Sequence, residues 1–115
     1  MTEQPRKRPC DRRPLETTVV IWTDPISYAQ HRIVVGVGVD LDTGRVNEVF
    51  GSLEKPGSLL DLMLAESCRS LSHELQCGRS PAELLPRYLT THDGMPMTPM
   101  GAVIAHLASH CGVTP

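Results

Sequence analysis

A chain of 115 residues can hold one hydrophobic core and lacks the length for a second, so a single domain is expected. Its 40% apolar and 21% charged residues are ordinary for a globular protein, and a net charge of −2 supplies no global field that would draw it to nucleic acid or anionic lipid. No apolar run approaches the roughly 20 residues that a membrane-spanning helix requires, so a membrane role is not expected.

The first thirteen positions hold Arg6, Lys7, Arg8, Arg12 and Arg13 among Pro5, Pro9 and Pro14. A basic run interrupted by proline reads as a flexible arm over residues 1–14, either simply solvated or touching phosphates or an acidic partner. It has no apolar stretch of the kind that marks an export signal. Cys10, Cys68, Cys77 and Cys111 are widely spaced, without a C-x-x-C pair, which favours free thiols in a cytoplasmic protein over a zinc or redox centre.

The elements are read in chain order. Thr17 to Thr23 is rich in β-branched residues and stops at Asp24-Pro25, the pattern of a strand closed by a turn. A second strand falls within Tyr28 to Asp40, where Val35, Val37 and Val39 share one face and Gly36 and Gly38 leave the other nearly bare, marking a packed helix, a close ligand or a bulge. The turn Asp42-Thr43-Gly44 leads into a third strand from Arg45 to Ser52. A helix then starts near Ser58, after Pro56-Gly57, and ends near Gln76 before Gly78, with Leu60, Leu64, Cys68, Leu71 and Leu75 as its apolar stripe. Ser80-Pro81-Ala82-Glu83 is a capping box that opens a second helix to about Leu89, and Thr98-Pro99 opens a third. The fold class expected is α+β, a three-stranded antiparallel meander followed by three helices packed mainly on one face, in one domain over residues 15–112.

The turn Lys55-Pro56-Gly57-Ser58 is the leading site candidate. A helix start, a small glycine, a hydroxyl and a lysine suit an anion such as a nucleotide phosphate, although the same residues also serve ordinary helix capping. Glu48 lies between Val46 and Phe50, where strict alternation gives it apolar neighbours; either it is buried beside a cation such as Lys55, or a bulge turns it to water. His106 and His110 share a helix face but lack the acidic partner of a zinc motif, so no metal site is assigned. Cys68 falls on the core stripe and Ser72-His73 diverge around the helix, so no catalytic residues and no cofactor are assigned.

Taken together, Arg12-Arg13, Glu16-Thr17, Thr43-Gly44-Arg45, Glu48-Val49-Phe50, Lys55 with Gly57-Ser58, Leu75-Gln76-Cys77-Gly78 and Pro99-Met100-Gly101-Ala102 form an ordered series over about residues 12–108. In that series the chain resembles the TSCPD-type domain, found at the C-terminal end of adenosylcobalamin-dependent ribonucleotide reductases and as stand-alone bacterial proteins. The resemblance implies a role in deoxyribonucleotide metabolism. No Thr-Ser-Cys-Pro-Asp stretch is present, so a metal or redox role of those cysteines is not carried over, and there is no room for the reductase barrel.

Two functional readings follow. In the first, a non-catalytic binding or regulatory module contacts a nucleotide or a ribonucleotide reductase through Lys55, Gly57, Ser58, Glu48 and Arg45, with Arg12 and Arg13 as arm contacts. In the second, the chain is a protein-interaction or inhibitor factor of a phage or mobile element that acts on another protein complex. A sheet covered on one face, with a valine-rich second strand that could offer an edge, also suggests a homodimer.

Overall fold

The computed structural model describes residues 16–110; the expected arm, including Arg12 and Arg13, lies outside the described residues. Strands β1 (Glu16–Thr23), β2 (Gln30–Val39) and β3 (Val46–Leu53) form an antiparallel meander in the order β1-β2-β3. Helices α1 (Leu59–Gln76), α2 (Pro81–Leu84) and α3 (Pro99–His110) follow, giving the expected α+β architecture. No helix among the described residues is long and apolar enough to cross a membrane.

Both hairpins are tied by an aspartate at the end of the incoming strand. Asp24 accepts hydrogen bonds from the backbone N–H of Ile26 and Ser27, and Asp40 accepts them from Asp42 and Thr43. Such Asx turns satisfy the loop amides locally. In the second hairpin the chain then reverses at Gly44, which takes the left-handed φ of +73° that glycine adopts without strain.

A bulge between Gly38 and Val39 sets Val39 against Val46 and leaves Asn47 as the extra residue of β3. It also breaks the alternation expected around Glu48. Val46 and Val49 both enter the core, whereas Glu48 and Phe50 share the opposite face of the sheet. The valine-rich strand is central and paired on both sides, so the free edge expected of β2 belongs to β1 instead.

The core fills with Ile33, Val35, Val49, Leu71, Val103, Ile104 and Leu107, all essentially inaccessible, and the expected α1 stripe supplies Leu64, Cys68, Leu71 and Leu75. Trp22 seals it from β1, and its indole N–H donates to the carbonyl of Pro96 at 3.1 Å, anchoring the loop before α3. The capping box at Ser80 forms as expected, with Glu83 returning a bond to the Ser80 amide. Helix α2 stops after one turn, well before Leu89, and continues only as a 3-10 turn over Leu85–Arg87. Pro86 explains the difference, since it has no N–H to donate and its ring clashes with the carbonyl four residues earlier, that of Ala82.

Helix α1 lies along the outer edge of β3. Asp61 accepts from the N–H of Leu53 at 2.8 Å, Ser72 both accepts from the N–H and donates to the carbonyl of Val49, and Gln76 donates to the carbonyl of Asn47 at 3.1 Å. These alternate residues turn their backbone groups away from β2, so α1 occupies the place of a fourth strand. The lengths agree. Helix rise from Asp61 to Gln76 is about 22 Å at ~1.5 Å per residue, against about 20 Å of strand from Leu53 to Asn47 at ~3.3 Å per residue. Between these bonds a Cβ on Gly51 would stand 3.1 Å from the Cys68 sulfur and 3.3 Å from Leu64, so any side chain there would require those two to shift by a few tenths of an ångström.

Ser72 is 8% exposed. Removing its hydroxyl leaves two buried backbone groups of Val49 without a partner, at a cost of about 1–3 kcal/mol. Urea unfolding of Ser72→Ala is expected to show that loss with an unchanged m-value, and stability within error of the parent would contradict the role given to Ser72.

Candidate functional site

The turn from Lys55 to Ser58 sits where β3 passes into α1, and its geometry is organised by a residue outside it. Asp61 accepts from the N–H of Leu53 through one carboxylate oxygen and from the N–H of Gly57 through the other, at 2.8 and 2.9 Å. The Asp61 amide in turn donates to the Ser58 hydroxyl at 3.2 Å, the ordinary N-cap bond. Gly57 has a φ of +81° and open space where a Cβ would lie, so glycine is required there by backbone conformation. The N–H groups of Leu53, chiefly, and Gly57 hold the Asp61 carboxyl below its ordinary value of 3.8, against an opposing effect of burial.

An anion therefore already occupies the turn, and it is the chain's own carboxylate. An incoming phosphate would have to displace Asp61 from Gly57 or bind beside a negative charge. Lys55 borders a shallow hollow with Gln30, His31, Glu54 and Ser58. Across that hollow Glu54 accepts from the Arg32 amide and stands 3.7 Å from His31.

The remaining sequence-predicted residues do not converge on the turn. Arg45 precedes β3 and Lys55 follows it, so the two lie at opposite ends of a strand about 26 Å long at ~3.3 Å per residue. The Arg45 guanidinium donates to the carbonyl of Gly78 at 2.9 Å, tying the β2–β3 turn to the end of α1. Glu48 is half-buried beside Gly38, about 17 Å along the strand from Leu53 by the same rise. It cannot orient Lys55. With Phe50, Arg69, Ser72, His73 and Gln76 it instead lines a hollow of about 240 Å³ beside β3 and α1.

Nucleophile chemistry finds no assembled machinery among the described residues. Burial pushes the Cys68 thiol up to about 12, so it stays protonated and inert at neutral pH. Ser72 is engaged at Val49. The exposed Cys77 sulfur lies 3.7 Å from His73 Nε2, an i, i+4 pair not singled out in the sequence, but no described group orients that ring.

A largely apolar opening lies elsewhere. A groove of about 280 Å³ runs between α1, the segment Arg87 to Leu89 and the start of α3, lined by Leu60, Met63, Tyr88, Leu89, Pro99 and Met100. Met63 and Leu89 are 55% and 69% exposed, and Leu59 and Leu62 continue the apolar surface on the first turns of α1. Arg87 stands at the rim, 4.0 Å from Glu74, which also pairs with Arg79 at 3.2 Å. Sequence reasoning passed over this groove. Its signal was the run Leu59-Leu60-Asp61-Leu62-Met63-Leu64, apolar around the whole helix rather than along one stripe.

No family model, no curated protein and no solved structure matches the chain.

Since Asp61 has a depressed pKa in the folded state, its contribution to stability is complete above the ordinary carboxylate range and is lost as pH falls through the lowered value. Asp24, held down mainly by the Ile26 amide, acts in the same direction. Asp61→Asn is expected to be less stable at neutral pH and to lose less stability on acidification than the parent. Parallel stability-versus-pH curves would show that the Leu53 and Gly57 bonds do not favour the ionised form.

Proposed function

We propose that the chain is a non-catalytic protein-interaction module that takes an apolar, acid-bearing segment of a partner protein into the groove between α1 and Leu89. The observation that carries this reading is the exposed apolar lining of that groove, with Arg87 at its rim. Met63, Leu89, Leu59 and Leu62 lie outside the core, and exposed apolar surface bordered by a charge is the usual mark of a partner site. Methionine suits such a surface because its unbranched side chain repacks around different shapes. Arg87 offers a planar donor fork for a partner carboxylate.

The polar side chains that could have served chemistry support the same reading. Asp61, Ser58, Ser72 and Gln76 all bind the backbone of the chain itself. A ribonucleotide reductase is the first partner to test, because the ordered series of motifs resembles a reductase-associated domain. A protein complex inhibited by the chain is the next.

A photoreactive phenylalanine analogue at position 63 is expected to cross-link one stoichiometric protein in the source cell. Leu89→Glu should abolish the adduct while leaving the melting temperature unchanged. Adducts that survive Leu89→Glu, or nucleotide binding that depends on Lys55 with no protein adduct, would contradict the proposal.

A further inference from the structure

The two edges of the sheet are treated differently. On β3 the outward backbone groups meet Asp61, Ser72 and Gln76 of α1. No described residue does the same for β1, which is the other edge.

The hydrogen-bond alternation identifies the groups left open on β1. Val49 turns its N–H and carbonyl to Ser72, so its cross-strand partner Val37 must direct its own toward β1, where it lies opposite Glu16. Counting along the regular register, Glu16, Thr18, Val20 and Trp22 bond to β2, and Thr17, Val19, Ile21 and Thr23 face outward. This edge is long and regular. It runs eight residues with no bulge and no proline or lysine, and its one charged residue is Glu16 at the end. Natural edges usually carry one of those devices, since a bare strand edge is a template for another strand.

The face of the sheet that no described element covers continues the same surface. Val19 and Ile21 of β1, Val34 of β2 and Phe50 of β3 are between 43% and 49% exposed, and Val19 is directly paired with Val34. Helix side chains meet three residues of the β3 edge, but no described helix lies along β1. A regular row of backbone donors and acceptors is matched residue by residue by another extended strand, so the occupant is taken to be a strand with matching side chains.

We infer that this strand is β1 of a second copy, paired antiparallel about a two-fold axis at Val19 to give a six-stranded sheet. An interface of this symmetry requires only that one surface complement itself, and β1 meets that requirement. With Val19 opposite Val19 of the second copy, Thr17 faces Ile21, Thr18 faces Val20 and Glu16 faces Trp22. Each pair is apolar or β-branched, or sets the lone acid against a neutral residue, and no like charges meet. Val34 and Val19 of one copy then continue into Val19 and Val34 of the other as one apolar row. The surface is separate from the α1 groove, so the two proposals stand or fall independently.

The test is the mass and amide exchange of the full chain in solution. Sedimentation equilibrium should give a dimer of the 12.6 kDa chain, and Ile21→Lys should raise the dimer dissociation constant tenfold or more, whereas Phe50→Lys, two strands from the axis, should change it far less. In the parent protein the amides of Thr17, Val19 and Ile21 should be protected when concentrated and lose protection on dilution. A monomer at all concentrations, or a dimer in which those three amides exchange freely, would overturn the inference, and neither result depends on the folding of a variant.

Discussion

The structure depends on how the outer edge of β3 is closed. A three-stranded sheet must leave two rows of backbone groups without strand partners, and here one row is met by the side chains of a helix. Asp61, Ser72 and Gln76 reach Leu53, Val49 and Asn47, and the match between helix rise and strand rise lets all three bonds form at once. Gly51 fits this arrangement, because a Cβ there would crowd Cys68 and Leu64 of α1 at 3.1 and 3.3 Å. Once α1 is so placed, its apolar stripe faces the sheet, and the bulge at Gly38 turns Val46 inward to meet the core.

The same constraint decides what the Lys55 to Ser58 turn can do. A helix N-terminus following a strand would ordinarily offer free amides to a phosphate. In this protein Asp61 serves the strand edge and the turn with one carboxylate, one oxygen to each. The turn is thus an internal anion site already filled, and the apolar groove beside Leu89 becomes the better place to seek a partner.

Much of the fold was legible in the residues, and the reasons are local. β-branched runs bounded by Asp-Pro and Asp-Thr-Gly mark strands and turns, and the i, i+3, i+4 leucines of α1 mark its buried face, because period and punctuation report directly on secondary structure. Glu48 stayed open between burial and a bulge because a one-residue bulge shifts the phase of a strand without leaving a clear trace in its composition; the bulge is what the structure shows. Helix α2 was drawn too long because its capping box is strong and Pro86 was given too little weight. The strand-edge roles of Asp61, Ser72 and Gln76 were not legible, since all three read as ordinary polar helix positions and Ser72 was weighed only as a nucleophile; only the strand beside them reveals what they bind. Arg45 was grouped with Lys55 through the ordered series of motifs, whose members an extended strand carries apart.

Amide hydrogen exchange of the intact protein tests the helix-closed edge most directly. If α1 stands in for a strand, the N–H groups of Val49 and Leu53 should exchange as slowly as those of the central strand β2, through global unfolding alone. Exchange of Val49 and Leu53 at the rate of a solvent-exposed strand edge, under conditions where β2 remains protected, would contradict the account.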